Sequence, residues 1–469
     1  MPQTVYERLA PPSPVVTAAL AGSAHDVFWL QDAVADRYPT LGGNHRADLV
    51  VVGGGYAGLW TAVLAKRRNP GQRVVLVESE TVGWAASGRN GGFCEASLTH
   101  GRENGLSRWP QELPELERLG AQNLDAFERD LIELNIDAQF ERPGFLAVAV
   151  EEHQVAWLRE SPDGDFLDAA AVRAHLNSPI FLAGSWDRAH TALVHPGKLA
   201  FGLARAAADL GVEIFEHSRV TALESGRTGA VTVHTAAGSL VAERVALATN
   251  VFRPLLKRAR LMTVPVYDYV LMTEPLSAAQ LGSLGWRGRQ GFGDLANQFH
   301  YSRLTADNRI LYGGYDAIYH LGRQVRAAYE DRPSSYARLA AHFLTTFPQL
   351  EGIRFSHRWA GAIDTSTQFC AFHGLARSGR VAYTAGFTGL GVSATRFAAE
   401  VMLERLEGLD TPRTRLEMVR RKPLPFPPEP IATVGIGLTK WSLDRADHHQ
   451  GRRNLLLKAL DKAGLGFDS

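Results

Sequence analysis

The chain has 469 residues, with 50 basic and 49 acidic side chains and a formal net charge of +1. This balance is atypical of nucleic-acid-binding proteins, which usually carry a clear basic excess. The composition, 45% hydrophobic and 21% charged, is that of a globular protein long enough for two structural units. Only two cysteines are present, which excludes a disulfide scaffold and favours a reducing compartment. We expect a cytoplasmic protein, since no apolar run approaches the roughly 20 residues of a membrane-spanning helix.

The N-terminal part of the chain predicts an irregular segment followed by a βαβ unit. Residues 1–45 are interrupted by prolines and glycines, and we interpret them as an N-terminal arm. Its apolar patch at 15–21 lacks a basic leader, so we expect no signal peptide. Residues 48–53 form a continuous apolar run, typical of a parallel strand buried on both faces. A helix over 57–68 and a strand over 74–77 complete the unit.

The rest of the chain alternates helix-like and strand-like patterns. Hydrophobic spacing predicts helices over 115–135, 197–210, 334–346 and 392–407, and a last one near 453–463. Strands are predicted over 145–150, 212–216, 230–235, 240–248, 310–314 and 381–385. The proline-rich stretch 422–430 can form neither a helix nor a central strand, so we interpret it as a stiff connector.

A glycine pattern joins the first predicted strand to the first helix of the βαβ unit. Gly53, Gly55 and Gly58 have the spacing G-x-G-x-x-G, which permits a tight turn, a close pyrophosphate and close helix packing. Glu78 lies 25 positions after Gly53, where an acidic side chain is suited to bind ribose hydroxyls and to repel a 2′-phosphate. A purely structural turn is the alternative, and the pattern does not choose between NAD and FAD. The predicted contacts are Gly53, Gly55, Tyr56, Ala57, Gly58, Glu78 and Ser79.

A second motif lies at residues 83–92, where small residues let the backbone pass close to a flat buried group. A flexible surface loop is the alternative interpretation. The motif resembles FAD-dependent amine and amino-acid oxidoreductases of the D-amino-acid oxidase-like superfamily. Its Ser-Gly-Arg-Asn-Gly-Gly string is most similar to the gamma-glutamylputrescine oxidase branch. In that family the segment runs past the FAD pyrophosphate and the isoalloxazine, which implies contacts from Ala86, Ser87, Arg89, Asn90, Gly91 and Gly92.

The resemblance extends in chain order over about residues 27–408. The strand through Val220 is similar to one whose backbone touches adenine. Thr249 and Asn250 are similar to a strand returning to FAD, although glycine is common where Asn250 stands. Residues 359–361 and 386–391 resemble the C-terminal flavin segments of the family. This resemblance implies contacts from Gly361, Gly386, Thr388, Gly389, Leu390, Gly391 and Val392.

The glycine loop at 386–391 has a physical interpretation as well. It precedes a predicted helix, whose N–H groups and dipole favour negative charge. Reduced flavin is negative near N1 and O2, so a helix N-terminus there stabilises the reduced cofactor. An ordinary helix cap is the alternative interpretation.

Flavin amine oxidation needs an oriented substrate in a dry pocket, and hydride transfer requires no dedicated base. We therefore expect no catalytic triad. Tyr301 and Arg303 alternate on a predicted strand and share a face, so Arg303 is a candidate for gripping a carboxylate; an exposed surface arginine is the alternative. No cluster has metal-site spacing. The pocket candidates are Tyr267, Tyr269, His300, Tyr301, Arg303 and Trp359.

Some members of the superfamily attach FAD covalently, and the two cysteines bear on this point. Cys94 follows the flavin motif, and Cys370 lies close to, but past, the attachment position of sarcosine oxidases. We interpret both as buried unreactive thiols and expect noncovalent FAD.

The predicted fold class is α/β, with a Rossmann-like FAD-binding domain interleaved with an antiparallel-sheet substrate domain. The FAD-binding domain is assigned to 46–100, 185–260 and 355–410, the substrate domain to 101–184 and 261–354, and a C-terminal connector with a helix to 411–469. The predicted function is oxidation of an amine or amino acid to an imine, with oxygen as acceptor giving hydrogen peroxide. The alternatives are a dehydrogenase using a carrier protein and a non-catalytic flavin-binding protein. The particular amine and the oligomeric state stay open.

Overall fold

Two large β-sheets organise the chain, and the computed structural model describes residues 2–161, 164–225 and 229–466. Within these residues the strands are β1 Gly43–Val52, β2 Val74–Val77, β3 Phe93–Glu95, β4 Phe145–Ala149, β5 Asp165–Asp168, β6 Ala183–Asp187, β7 Thr191–Leu193, β8 Glu213–Phe215, β9 Val220–Ser225, β10 Val231–Thr235, β11 Gly238–Leu247, β12 Thr263–Thr273, β13 Gly291–Asp294, β14 His300–Leu304, β15 Ile310–Gly314, β16 Ile318–Tyr319, β17 Phe355–Ser366, β18 Phe372–Ala376 and β19 Val381–Ala385.

Helices cover the sheets and both ends of the chain. The α-helices are α1 Val5–Arg8, α2 Ser13–Leu20, α3 Phe28–Gln31, α4 Tyr56–Arg68, α5 Ala86–Arg89, α6 Arg102–Arg108, α7 Leu113–Glu133, α8 Glu152–Glu160, α9 Ala169–His175, α10 Pro196–Asp209, α11 Ala278–Leu284, α12 Pro333–Thr346, α13 Gly391–Glu407, α14 Pro412–Arg415, α15 Glu417–Arg420, α16 Ile431–His448 and α17 Leu455–Lys462. Short 3-10 turns lie at Lys257–Ala259, Ala327–Tyr329 and Pro348–Leu350.

The first sheet has a parallel centre in the strand order β8, β2, β1, β11, β19. Strand β18 adds an antiparallel edge, and the β9–β10 hairpin pairs with β11. Both faces of β1 are buried: Leu49 and Val51 pack with α4 and α10, whereas Val50 and Val52 pack with the opposite layer. This double burial explains the continuous apolar run, and the predicted α/β class with a Rossmann-like domain is confirmed.

The second sheet has the order β16, β12, β15, β14, β13, β4, β6, β5. Its neighbours are antiparallel except β13 and β4, and β17 pairs antiparallel with β12 along almost its whole length. Helix α12 covers one face, where Phe343 packs with Tyr312 and Tyr269 in a shared core. Residues 355–366, assigned from the sequence to the FAD-binding domain, thus form a strand of the second sheet.

The two ends of the chain are more ordered than the sequence predicted. The N-terminal arm holds α1, α2 and α3, and Val5, Tyr6 and Val16 lie in the core of the second sheet. The predicted C-terminal helix is α17 at Leu455–Lys462. Helix α16 was not predicted, because Gly435 and Gly437 interrupt its helical pattern directly after the proline run.

Candidate active site

The turn between β1 and α4 depends on two glycines. Gly53 has a φ of +113°, and a Cβ there would lie 2.4 Å from the carbonyl oxygen of Ala248. A Cβ on Gly58 would lie 1.9 Å from the Gly53 carbonyl oxygen. Helix α4 can therefore approach β1 this closely only because position 58 has no side chain. Tyr56 and Ala57, at the start of α4, line a large cavity.

The third glycine of the pattern brings the first motif against the second. A Cβ on Gly55 would lie 2.9 Å from the Ser87 hydroxyl oxygen. That hydroxyl accepts a hydrogen bond of 2.9 Å from the Tyr56 backbone N–H, one of the N–H groups that a helix start leaves unpaired. Two sequence motifs separated by some 30 residues therefore form one structural unit.

Glu78 ends β2 as a buried hydrogen-bond acceptor. Its Oε2 accepts from the Gly54 N–H at 2.6 Å, and its Oε1 accepts from the Ser79 hydroxyl and the Glu80 N–H at 2.9 Å each. The Trp84 indole N–H donates to Oε1 at 3.0 Å. Glu78 thus holds the glycine turn and the start of the second motif together, and it lines the cavity where a ribose would be bound.

The second motif is held by its own polar side chains. The Asn90 amide nitrogen donates to the carbonyl oxygens of Ala86 and Ser87, and its oxygen accepts from the Gly92 N–H. Arg89 pairs with Glu330 at 2.5 Å and also donates to a carbonyl oxygen of β17. The segment is therefore a fixed structure that links the two sheets, which contradicts the flexible-loop alternative.

The C-terminal glycine loop is held by a carboxylate that the sequence analysis missed. Asp364, at the end of β17, accepts from the Gly386 N–H at 2.6 Å, and the Thr388 N–H donates to the Asp364 carbonyl oxygen at 3.3 Å. Burial raises the pKa of Asp364 to about 6, against the lowering effect of these backbone donors. Thr388 has a φ of +52° and Gly389 of +90°, immediately before α13 begins at Gly391. An acidic residue directly after the apolar residues 359–363 was the signal available in the sequence.

One cavity of about 1140 Å³ joins these segments. Its volume exceeds the roughly 300–1,000 Å³ typical of a site for one small ligand. Three of the predicted FAD-contacting residues, Gly58, Gly92 and Gly386, do not line the cavity that the described residues form. The predicted FAD-contacting residues that do line it are Gly53, Gly55, Tyr56, Ala57, Glu78, Ser79, Ala86, Ser87, Arg89, Asn90, Gly91, Val220, Thr249, Asn250, Gly361, Thr388, Gly389, Leu390, Gly391 and Val392.

The cavity wall also has polar atoms without protein partners. The Thr384 hydroxyl and the Gln298 amide nitrogen are buried and have no hydrogen-bond partner among the described residues. Buried polar groups of this kind are normally satisfied, so they indicate a ligand. The wall therefore fits FAD in its donors, in its acidic residue at the ribose position and in its size.

The structure separates the predicted substrate residues into two groups. Tyr267 and Tyr301 line the cavity. Arg303 does not: its guanidinium is buried, donates to the Val194 carbonyl oxygen at 2.5 Å, and has its pKa lowered by burial to about 10. His300 lies below the sheet between Asp294, at 2.6 Å, and a second histidine. Because these partners occupy their polar atoms, Arg303 and His300 are placed as structural residues.

The two remaining substrate candidates also lie outside the described cavity wall. The Tyr269 hydroxyl donates to the Tyr329 carbonyl oxygen at 2.8 Å, on the helix-covered face of the sheet. The Trp359 indole N–H donates to the Arg89 carbonyl oxygen at 2.8 Å and so helps to hold the second motif. Both side chains support the site without facing it.

Asp268 is a cavity residue that the sequence analysis overlooked. It lies between two tyrosines on β12, and its carboxylate accepts a hydrogen bond of 2.5 Å from the Tyr301 hydroxyl. Burial raises the pKa of Asp268 to about 6, and the hydrogen bond from Tyr301 opposes this effect. An acidic residue in the middle of a strand of valines and tyrosines was the signal for it.

The C-terminal segment contributes a wall of the same cavity. Asp447 of α16 accepts from the Asn297 N–H at 2.8 Å and the Gln298 N–H at 3.1 Å, and Lys440 lies 3.6 Å from Asp316. These contacts fix α16 on loops of the second sheet. The apolar side chains that this segment adds to the wall include Leu424, Phe426, Ile436, Leu443, Leu456 and Leu460.

A Rossmann-type sheet and an antiparallel sheet that share one cavity define a two-domain, dinucleotide-dependent oxidoreductase. Comparison with known proteins makes the class specific: the model of the family DAO, FAD dependent oxidoreductase, matches residues 48–405. The chain belongs to this family. It is 31% identical to gamma-glutamylputrescine oxidoreductase of Escherichia coli K12, over 79% of this chain and 86% of that protein. It is 28% identical to the probable oxidoreductase OrdL of Haemophilus influenzae, over 80% and 86%.

Solved structures share the fold. Glycine oxidase from Geobacillus kaustophilus has a TM-score of 0.64 at 21% identity, over 78% of this chain and 96% of that chain. L-proline dehydrogenase from P. horikoshii has a TM-score of 0.64 at 17% identity, over 79% and 96%. The family match ends at residue 405, so the cavity wall formed by 424–465 lies beyond it.

The described part of the chain contains no group of three or more histidine, cysteine or acidic side chains placed to hold a metal ion. Within the same residues, none of the helices combines the length and apolar character needed to cross a membrane.

Proposed function

We propose that the chain oxidises the C–N bond of an amine or amino acid to an imine and passes the electrons to oxygen, giving hydrogen peroxide. The observation that carries this proposal is the shared cavity, in which the segments that fit FAD meet a wall of the second sheet. The similar proteins reported above have names that refer to gamma-glutamylputrescine, glycine and L-proline, and these names support a substrate of this kind.

The residues that would hold FAD divide along the cavity. The Gly53–Gly58 turn and the start of α4 suit the pyrophosphate, and Glu78 suits the ribose hydroxyls. The second motif and the start of α13 at Gly391 suit the isoalloxazine, since a helix N-terminus favours negative charge. When bound, FAD supplies the acceptor for the hydride of the substrate.

We propose that this FAD is noncovalent. Cys94 and Cys370 are free and buried, and neither lines the cavity within the described residues. Burial raises the pKa of Cys370 to about 12 and that of Cys94 well above its ordinary value. Both thiols therefore lack the thiolate character that attachment chemistry requires. The same two free thiols support the proposal of a cytoplasmic location.

The chain's own contribution to the reaction is orientation and exclusion of water. The wall formed by Tyr301 and the C-terminal segment encloses the substrate beside the second motif. There the substrate C–H bond gives up a hydride and the nitrogen loses a proton, so the C–N single bond becomes a double bond. Water then hydrolyses the imine to a carbonyl compound and an amine or ammonia.

The decisive experiment is anaerobic reduction of the purified yellow protein. We expect at least one member of a panel of polyamines, amino acids, N-methylated glycines and aminophosphonates to bleach the flavin absorbance. Admission of air should restore the colour with release of hydrogen peroxide.

Three results would contradict parts of the proposal. A protein without flavin contradicts the assigned cofactor, and a flavin that no amine bleaches supports a non-catalytic role. Bleaching followed by turnover with dyes but not with oxygen supports a dehydrogenase. Gly55→Val serves as the cofactor-free control, because its side chain would occupy the space of the pyrophosphate.

A further inference from the structure

An isolated charge lies on the cavity-facing side of β12. Side chains alternate along a strand, so residues 264, 266, 268 and 270 share one face, and all four line the cavity. Three of them are valines and the fourth is Asp268. No lysine or arginine nitrogen lies within 4.0 Å of its carboxylate in the described ranges. The carboxylate is partly buried and accepts a hydrogen bond from the Tyr301 hydroxyl, but it has no cation partner, so the position favours a positively charged ligand.

The carboxylate stands directly beside the second motif. The Tyr301 ring that donates to Asp268 lies against Gly91, where an added Cβ would be 2.8 Å from the ring. In the β12–β17 ladder Asp268 is opposite Gly361, and a Cβ on Gly361 would lie 3.6 Å from Arg89. Asp268 therefore faces the part of the cavity that the second motif borders.

The lysine and arginine side chains on the described cavity wall either pair with other carboxylates or lie at the Glu78 end of the cavity, away from Asp268. Arg89 pairs with Glu330, and Lys440 lies beside Asp316. The other two, at positions 219 and 253, belong to the Glu78 end. Ser218, next to position 219, donates its N–H to the Glu78 carbonyl oxygen. Phe252, next to position 253, contacts the Trp84 ring, whose indole N–H donates a hydrogen bond to Glu78.

We propose that Asp268 binds the substrate ammonium, and that the substrates are amines without a carboxylate on the carbon that is oxidised. This inference rests on the proposed function and specifies its substrate class. A carboxylate on the oxidised carbon would meet Asp268 without an available arginine, so charge repulsion disfavours α-amino acids.

Asp268 is also the acceptor for the proton that the ammonium must lose before hydride transfer. The N–H bond breaks, its electron pair stays on nitrogen, and an O–H bond forms on the carboxylate. Because burial raises the pKa of Asp268 to about 6, the neutral acid is favoured relative to an exposed aspartate. The neighbouring charged or titratable groups are Tyr301, which donates to it, His300 and the paired Arg89.

Glu95 is the rival carboxylate. It lines the cavity from β3, and burial raises its pKa to about 7. Asp268 is favoured because the Tyr301 hydroxyl fixes its orientation and because it contacts the ring that borders Gly91. The two residues make opposite predictions for the same probe, so the test includes a variant of each.

The test uses the FAD-loaded protein and three probes of one shape: butylammonium, butanol and butyrate. Binding is followed through the change in the flavin absorption spectrum. The wild type should prefer butylammonium to butyrate. Asp268→Asn should weaken butylammonium by at least ~30-fold, the effect of removing one partner of a buried charge pair, without weakening butanol. Asp165→Asn is the matched control, since Asp165 lies on the same sheet with its side chain 75% exposed.

A second readout separates ligand binding from a structural role. Asparagine removes a charge that has no cation partner and keeps an acceptor for the Tyr301 hydroxyl, so the melting temperature of Asp268→Asn should stay equal or rise, whereas loss of a structural residue lowers it. Three results overturn the inference: equal butylammonium binding by Asp268→Asn, loss of binding in Glu95→Gln instead, or a wild type that prefers butyrate. The last comparison needs no variant.

The amine panel distinguishes failure of this inference from failure of the proposed function. If no panel member bleaches the wild type, the proposed function fails. If amines bleach wild type and Asp268→Asn at equal rates, only the inference fails. Preference for α-amino acids over amines in the wild type also contradicts the inference while leaving the oxidase function intact.

Discussion

Replacement of Gly58 by alanine tests the close approach of α4 to β1. The added Cβ would lie 1.9 Å from the Gly53 carbonyl oxygen and 3.3 Å from the Val51 side chain. Since Cβ atoms essentially never come within 3.0 Å of such an atom, the helix start must move by about 3.0 − 1.9 = 1.1 Å. Overpacking of a close contact costs typically ~1–3 kcal/mol, and a backbone oxygen cannot rotate away, so we expect about 3 kcal/mol.

This shift displaces the N–H groups that we assign to the FAD pyrophosphate. If the whole of that energy falls on the bound geometry, FAD affinity drops about 100-fold, at 1.4 kcal/mol for each factor of ten. The measurement is a fluorescence titration of the apoprotein with FAD, together with the melting temperature. Gly437→Ala is the control, because a Cβ at Gly437 in α16 meets open space and alanine favours a helix. Full FAD occupancy and an unchanged melting temperature in Gly58→Ala would show that FAD binding does not depend on the close approach of α4 to β1.

Four further predictions address other parts of the site. Glu78→Gln places an amide N–H against a backbone or side-chain donor, and we expect ~10-fold weaker FAD binding by the same titration. Asp364→Ala frees the Gly386 N–H and should raise the FAD dissociation constant by ~10-fold or more, whereas Asp364→Asn keeps an acceptor and should lose less. The pKa of Asp268 is raised from 3.8 to about 6, so the folded state binds more protons between these values. Stability from this group is therefore present below pH 4 and lost as pH rises through 6, and Asp268→Asn should reduce that decline in a melting series. Truncation after residue 423 should keep FAD but expose it, measured as stronger quenching of flavin fluorescence by iodide.

Much of the nucleotide-binding half was predictable because its constraints are local. Gly58 is fixed by its contact with Gly53 within one turn, and Glu78 ends the next strand in the chain and accepts from the Gly54 N–H. The buried parallel strands appear as continuous apolar runs because helices cover both faces. The predicted and observed boundaries of α4, α10 and α13 differ by one residue at most, because the signals that start and end these helices are also local.

The substrate side was harder to predict because its geometry depends on strand pairing. Arg303 and Tyr301 share a strand face in the sequence pattern, but the arginine turns to the Val194 carbonyl oxygen and away from the cavity. Asp268 reaches the cavity through the register of β12 with β17, which no local pattern encodes. Asp364 reaches the Gly386 loop in the same manner.

The C-terminal segment shows a different limit of sequence analysis. The proline run predicts a stiff connector, and residues 421–428, which form neither a helix nor a strand, lead into α16 on the second sheet. The anchoring contacts join Asp447 to the 297–298 loop and Glu429 to Tyr319, at separations above 100 residues. Hydrophobic side chains facing a cavity look the same in sequence as those facing a core.

The cavity wall draws on residues from Val52 to Leu465, and this has a consequence for synthesis of the protein. Chains emerge from the ribosome N-terminal end first and fold by domains as they appear. Here the Rossmann-type sheet itself waits for β19 at Val381–Ala385, and the outer wall waits for α17. The segments assigned to FAD are therefore complete only once α13 has emerged, and nascent chains interrupted before that point have no complete cofactor site to fill.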